Sequence, residues 1–154
     1  MAIQLKITTD YSIRALMYLY TRQGEQAVRS EEIAQAMHIP QNYLLSVIAR
    51  LRKAGYVETI RGVLGGYRII RPADQISLYD IIRLTEPEKI NRCLESDHHC
   101  TRGGYGQCAV SRFYELAQED WDRRLKKMTL KVLTTDSGKD ELRRIMEEEK
   151  GERT

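Results

Sequence analysis

The fold of this chain is decided by residues 41–70, QNYLLSVIARLRKAGYVETIRGVLGGYRII. The first half places apolar residues at helical spacing, at Leu44, Leu45, Ile48 and Leu51, and this pattern predicts a helix that Gly55 ends. The second half has two β-rich runs, 56–60 and 67–70, around a glycine-rich tip. A helix followed by a hairpin is therefore predicted.

The flanking sequence adds two helices before this unit and one after it. Residues 10–21 carry apolar side chains at helical spacing, with Thr9 or Asp10 as an expected cap. Ser30 is expected to cap a second helix, which a turn at residues 38–40 joins to the third. Ser77 is expected to cap a short fourth helix. The order predicts a mainly α fold with a small β-hairpin wing, a winged helix-turn-helix over residues 1–88.

Positive charge is concentrated in this unit. Between Arg50 and Arg71, six Lys or Arg residues stand against one acid, Glu58, although the net charge of the whole chain is only +3. A local basic stripe of this kind is typical of a phosphate-binding surface. The interpretation is that the unit binds double-stranded DNA, with a protein-binding winged helix as the alternative.

The polar side of the third helix supplies the candidate base contacts, because amides and guanidinium groups hydrogen-bond base edges in the major groove. Basic residues near its end are expected on phosphates. In the wing, glycines permit a tight, close-approaching tip, and an arginine is expected in the minor groove. The candidate DNA-binding residues are Gln41, Asn42, Tyr43, Ser46, Arg50, Arg52, Lys53, Arg61, Gly62, Gly65 and Gly66.

Other classes of protein are disfavoured. The sequence shows no nucleophilic triad, phosphate-cradling loop or paired-carboxylate pattern, so no enzyme is expected. No run of 18 apolar residues is present, and residues 1–10 lack signal-peptide features, so the expected location is the cytoplasm without membrane contact.

Three cysteines lie together in a polar loop, predicted at residues 89–108. Cys93, Cys100 and Cys108 are separated by six and seven residues and are the only cysteines in the chain. An odd number of thiols in a reducing compartment favours metal binding or redox sensing over structural disulfides. Three chemistries stay open: a metal–sulfur centre, zinc bound with His98 or His99, and thiol sensing without metal. No closely spaced cysteine pair is present, which weakens the zinc hypothesis.

A long amphipathic helix is predicted directly after this loop, over residues 109–132. Its apolar stripe is too long for one small winged helix to cover, so a second copy of the chain is the expected partner. The alternative is a helix folded back on its own domain. The candidate interface residues are Trp121, Leu125 and Met128. Residues 109–133 are thus a predicted dimerisation helix, and 134–154 a charged, disordered tail.

The segment 43–57, followed by Arg61-Gly62-x-x-Gly65-Gly66-Tyr67, resembles the Rrf2 family of bacterial transcription regulators. Residues 9–16, TDYSIRAL, share this resemblance, which runs from Lys6 to Val132. It implies a homodimer joined by the long helix, with the wing on a pseudo-palindromic operator. It also implies a regulator, most simply a repressor, that responds to nitric oxide, redox state or iron–sulfur status.

The iron–sulfur branch of that family carries three cysteines before the long helix, where Cys93, Cys100 and Cys108 stand. One type of site adds a histidine three residues after the last cysteine, a position held here by Ser111. Another adds an aspartate from the first helix of the other subunit, and Asp10 matches it. The resemblance therefore favours a [4Fe–4S] over a [2Fe–2S] cluster. Alternatives are a zinc or thiol-sensing loop without a cluster, or a regulator acting through a protein partner.

Overall fold

A computed structural model describes residues 4–24, 26–96, 100–101 and 108–151. The predicted fold class, mainly helical with a small antiparallel hairpin, is confirmed. The elements are α1 (Ile7–Thr21), α2 (Ser30–Met37), α3 (Gln41–Lys53), β1 (Val57–Ile60), β2 (Gly66–Ile69), α4 (Leu78–Ile82), α5 (Ala109–Lys127), α6 (Leu130–Thr134) and α7 (Gly138–Gly151).

The core lies where α1, α2, α3 and α4 meet. On α3, Leu44, Val47, Ile48 and Leu51 are all buried, which is the 0, 3, 4, 7 spacing of one helix face. The prediction of a buried Leu45 is wrong, because this residue lies outside that face and is 46% exposed. Val47, 1% exposed, takes its place in the core.

The hairpin is attached to the helices by a third extended segment. β1 and β2 pair antiparallel with Val57 opposite Ile69. Val28, between α1 and α2, exchanges two backbone hydrogen bonds with Tyr67 at 2.9 and 2.8 Å. The wing, defined here as β1, β2 and residues 61–65, is therefore continuous with the helix-turn-helix. Gly55, with φ of 76°, turns the chain from α3 into β1, as predicted.

Two predicted helix caps lie elsewhere. The first helix begins at Ile7 with Lys6 as its cap, so Thr9 and Asp10 are inside the first turn. Ser30 is the first residue of α2, after Arg29. Thr9 is instead fully buried and shares a hydrogen bond of 2.7 Å with the hydroxyl of Thr85. The predicted cap at Ser77 is confirmed as a reciprocal capping box with Asp80.

The long helix is shorter than predicted. α5 ends at Lys127, and the chain then forms a bridge with the segment before α4, where Leu78 N–H donates to Met128 O and Leu130 N–H donates to Ile76 O. Leu130 is thereby fully buried. The single helix predicted for 109–132 is wrong, because a continuous helix would leave unmade these two hydrogen bonds between distant segments of the chain.

Residues 138–151 form a helix where a disordered tail was predicted. Gly138 and Ile145 are buried as α7 packs against α6. A Cβ on Gly138 would lie 1.8 Å from the carbonyl oxygen of Val132, so this contact requires glycine. The strongly charged composition concealed the helix, because one narrow face carries its apolar contacts.

Within the described part of the chain, no helix has both the length and the apolar character needed to cross a membrane.

Candidate nucleic-acid interface and cysteine loop

The candidate base-contacting side chains lie along one side of α3. Asn42 and Ser46 are exposed, and Tyr43 is 46% exposed. The ring of Tyr43 meets that of Tyr11 on α1 edge to face, with 5.8 Å between centroids. Gln41 is only half-exposed, and its Nε2 donates to the hydroxyl of Ser30 at 3.0 Å. Gln41 thus joins the start of α3 to the start of α2.

The candidate phosphate contacts follow toward the end of α3. Arg50, Arg52 and Lys53 are all exposed in its last turn. Arg52 Nη1 donates to the hydroxyl of Thr59 on β1 at 3.1 Å, which places one cation between the helix and the wing. The basic stripe of the sequence therefore forms a surface that crosses from α3 to the hairpin.

Arg71, at the end of the basic stripe, is exposed and stacks on an aromatic ring at the base of the wing. Its guanidinium lies 4.7 Å from the centroid of the Tyr56 ring. Burial raises the pKa of the Tyr56 hydroxyl above its ordinary value, the negative charge of Asp80 raises it further, and the positive charge of Arg71 opposes both. Tyr56 is thus a neutral, buried support for Arg71, whose guanidinium stays exposed at the end of the basic stripe.

The three wing glycines have different roles. Gly62 has a φ of 112° and no atom within 4 Å of a Cβ built on it, so it permits the turn and leaves the tip open. A Cβ on Gly65 would lie 2.5 Å from the carbonyl oxygen of Ile60, and one on Gly66 would lie 2.4 Å from that of Val28. Gly65 and Gly66 are therefore required by the packing of the hairpin itself. Arg61 is exposed beside this tip.

Sequence reasoning missed Arg29. This exposed residue precedes α2, and its Nη2 donates to the carbonyl oxygen of Val63 at 3.0 Å. It lies at a groove of 310 Å³ between the start of α2 and the wing, called here the wing groove, which is also lined by Ser30, Glu31, Thr59, Gly62, Val63, Gly65, Gly66 and Tyr67. A contact across 34 residues leaves no periodic signal, so a count limited to residues 50–71 could not find it.

One of the three cysteines is the N-cap residue of α5, and another packs beside this helix from a separate turn. Cys108 is the residue before the first turn of α5. Cys93 lies in a short 3-10 turn, and its backbone N–H donates to Asn91 Oδ1 at 2.9 Å. Cys93 lines a depression of 300 Å³ with Ser111 and Glu115 of α5. All three cysteines are half-buried.

The described residues of one chain do not assemble a metal-binding group of three or more His, Cys, Asp or Glu side chains. The carboxylate of Asp10 is 2.7 Å from Arg14 Nη2, in an exposed ion pair on α1. His98 and His99 lie outside the described residues.

The candidate dimer residues are distributed differently from the prediction. Leu125 is 5% exposed and lies against α4 in its own chain, while Trp121 and Met128 are half-buried. Trp121 also lines a 350 Å³ cavity with Tyr79 and Ile82 of α4. The exposed apolar side chains of α5 are instead at its N-terminal end: Val110, Phe113 and Leu116, at 49%, 64% and 50%. This set is called here the α5 apolar face.

Helix order, wing and attached strand define the class of winged helix-turn-helix transcription regulators. A family model described as Rrf2, iron-dependent transcriptional regulator, matches residues 5–136. The chain therefore belongs to the Rrf2 family, as the sequence resemblance indicated. It is a transcriptional regulator and not an enzyme.

Relatives agree with this assignment. The chain is 39% identical over 100 residues to the HTH-type transcriptional regulator NsrR of Bacillus licheniformis, across 62% of this chain and 70% of that protein. Among solved structures, T. potens IscR matches with a TM-score of 0.66 and 28% identity, covering 84% of both chains. CymR, the global cysteine regulator of B. subtilis, matches with a TM-score of 0.71 and 26% identity, covering 88% of this chain and 100% of that one.

Proposed function

We propose that this protein is a cytoplasmic, homodimeric repressor whose operator binding is controlled by an iron–sulfur cluster. The proposed ligands are Cys93, Cys100 and Cys108 of one protomer, with Asp10 of the partner subunit as the fourth. The observation that carries the proposal is the position of two cysteines beside the N-terminal end of α5: Cys108 is the N-cap residue of this helix, and Cys93 lines a depression with Ser111 and Glu115, next to the α5 apolar face.

The chemistry of this donor set fits such a group. Iron–sulfur clusters are held mainly by cysteine thiolates. Because Ser111 stands where a histidine ligand would follow the last cysteine, the carboxylate of Asp10 would complete the set, as the family resemblance implies. When bound, the cluster would supply iron–sulfide bonds that react with nitric oxide or oxidants. A [4Fe–4S] form is favoured over [2Fe–2S] because Ser111 occupies the position of a possible histidine ligand.

The residues around the loop link it to the DNA-binding unit. Ile90 N–H donates to Gln118 Oε1 on α5 at 2.8 Å, at the start of the loop. Immediately before it, Glu86 accepts a hydrogen bond of 2.6 Å from Lys6 N–H at the start of α1. Because Thr9 and Thr85 are also joined in this place, a displacement of the loop is transmitted to α1.

From α1, one contact reaches the end of α2 and another reaches α3. Arg14, the ion-pair partner of Asp10, donates to the carbonyl oxygen of Met37 at the end of α2, at 3.3 Å. Tyr11, next to Asp10, packs against Tyr43 on α3. Engagement of the Asp10 carboxylate elsewhere would release Arg14 and change the support of the turn between α2 and α3.

On DNA, the two protomers would place their α3 helices in successive major grooves of a pseudo-palindromic site, about 34 Å apart. Asn42, Tyr43 and Ser46 would contact bases together with Gln41. The other candidate residues, Arg50, Arg52, Lys53, Arg61 and the wing glycines, would position the protein on the backbone and the minor groove.

The test is an anaerobic purification of the full chain with iron, sulfide and zinc measured per chain, followed by the visible spectrum. We expect iron with matching sulfide and a brown chromophore, lost in Cys93→Ser and retained in the neighbouring control Ser111→Ala. Operator affinity measured with and without the cluster should differ. Equal affinities, or a colourless metal-free protein after anaerobic reconstitution, would remove the cluster from the proposed function.

A second function is favoured by the similarity to the B. subtilis global cysteine regulator, whose TM-score exceeds that of T. potens IscR. In this alternative the cysteine loop holds zinc or acts through its thiols, or the regulator acts through a protein partner. One zinc per chain without sulfide in the same assay would establish the zinc form. Metal-free protein whose DNA affinity changes on thiol oxidation would establish the thiol form.

A further inference from the structure

The tip of the wing ends in two exposed apolar side chains. Val63 is 87% exposed, the most of any large hydrophobic residue in the described part of the chain, and Leu64 is 64% exposed, as much as Phe113. Single exposed apolar residues are common on protein surfaces, but here two adjacent ones project from the end of a hairpin. The motif around them, Arg61-Gly-Val-Leu-Gly-Gly, requires its glycines for folding and leaves these two positions without a structural role.

The tip is held in place by the rest of the domain. Gly65 N–H donates to Gly62 O at 2.9 Å and closes the turn, while Arg29 donates to the carbonyl oxygen of Val63. The pairing of Val28 with Tyr67 fixes the base of the hairpin. Val63 and Leu64 are therefore presented at a defined position before any partner binds.

That position is next to the base-contacting end of α3. The wing groove runs from Ser30 to Val63, and Gln41, the first residue of α3, is hydrogen-bonded to Ser30. Two exposed cations, Arg29 and Arg61, flank the tip, with Glu31 at the far side of the groove. An apolar wing tip with two exposed arginines beside it is complementary to a minor groove, where sugars and base edges lie between two rows of phosphates.

We propose that Val63 and Leu64 enter the minor groove beside the half-site and pack against a flexible pyrimidine–purine step, so that the operator bends around the protein. This inference rests on the proposed DNA-binding function and names the DNA feature that the wing selects. Apolar side chains form no hydrogen bond with bases, so their preference is for a step that opens easily, such as TA or CA. The two arginines hold the phosphates on either side.

The test uses duplexes enriched by the full-length, anaerobically purified wild-type protein from a random-sequence pool. Affinity, its dependence on salt, and end-to-end fluorescence transfer as a measure of bending are then compared for wild type and the double variant Val63→Ser, Leu64→Ser. We expect about tenfold weaker binding, near 1.4 kcal/mol, with an unchanged salt slope because no phosphate contact is lost. The bend should decrease.

Three controls keep the outcomes separate. Ile70→Ser changes an exposed apolar residue directly after β2, 47% exposed and away from the tip, and should bind like wild type. Arg61→Ala should lower the salt slope by about one. Inosine–cytosine pairs in place of adenine–thymine pairs at the wing position keep the minor-groove surface and alter the major-groove one, so binding should be retained.

The two proposals fail in different ways. If no duplex is enriched and wild-type binding has no salt dependence, the DNA-binding function itself is overturned. If wild type binds and bends DNA but the double serine variant does so equally, the wing-tip inference alone is overturned, and Val63 and Leu64 are assigned to a protein surface. Loss of binding on inosine substitution would place the tip in the major groove and also contradict the inference.

Discussion

Helices α3 and α5 are both amphipathic, but their apolar residues are buried to different extents within the single chain. On α3 every residue of the apolar face is at most 2% exposed within the single chain. On α5 the C-terminal Leu125 is 5% exposed, whereas the α5 apolar face at the other end is about half open to solvent. The apolar face of α3 is thus fully covered within one chain, whereas the α5 apolar face is not.

This difference in burial distinguishes residues that stabilise the folded monomer from residues that can stabilise only a complex. A side chain buried in its own chain contributes to the stability of the monomer, whereas an exposed apolar face contributes only when another surface covers it. Here the uncovered part of α5 is also the part that Cys93 and Cys108 adjoin. A second copy of the chain is the occupant that the proposed function requires there.

The largest expected effect is on α3. Leu44→Ala removes a fully buried side chain and should lower the free energy of unfolding by about 2–5 kcal/mol. The control is Leu45→Ala, the same substitution at the next residue, which is 46% exposed and should change it by less than about 1 kcal/mol. Urea denaturation measures both. Equal effects at the two positions would contradict the register of α3 described above.

An intermediate effect is expected on α5, where the same substitution separates its two ends. Leu125→Ala should lower the free energy of unfolding by about 2–3 kcal/mol at every protein concentration. Leu116→Ala, at a position 50% exposed, should leave the monomer unchanged and weaken self-association. Sedimentation equilibrium and unfolding at low and high concentration distinguish the two. A dimer unaffected by Leu116→Ala would argue that the α5 apolar face is not its interface.

The smallest effect on stability is expected at Asp10. Its ion pair with Arg14 is exposed, with 42% and 45% of the two side chains accessible, so Asp10→Asn should change the free energy of unfolding by at most about 1 kcal/mol. Iron content should nevertheless fall if Asp10 is a ligand. Arg14→Gln breaks the same ion pair and keeps the carboxylate, so it should retain iron. Iron lost equally from both variants would assign Asp10 a positioning role only.

Much of the fold was predictable because helices and hairpins leave local signals. The spacing on α3, the cap at Ser77 and the break at Gly55 depend on residues close in sequence. The error at Leu45 has a simple origin: Leu45 and Val47 both fit an amphipathic helix, and only the packing of α3 against α1 and β1 selects between them.

Features that depend on distant segments were not predictable. The end of α5 is set by backbone bonds from Met128 and Leu130 to the segment around Ser77, about fifty residues earlier. The contact between Arg29 and Val63 is of the same kind. For the site, the DNA surface and the cysteine chemistry inferred from residue types stay predictions, and the division of α5 into a buried and an exposed end required the packing of α4.

The backbone bridge between Val28 and Tyr67 has a consequence for the spacing of contacts along an operator. Its two backbone hydrogen bonds to Tyr67 join the wing to the helix-turn-helix. These bonds hold α3 and the wing tip at a fixed distance from each other. In the proposed dimer, the spacing between the major-groove and minor-groove contacts of one protomer would then be fixed. Insertions at the centre of an operator, between the two protomers, should therefore be accepted more readily than insertions within a half-site.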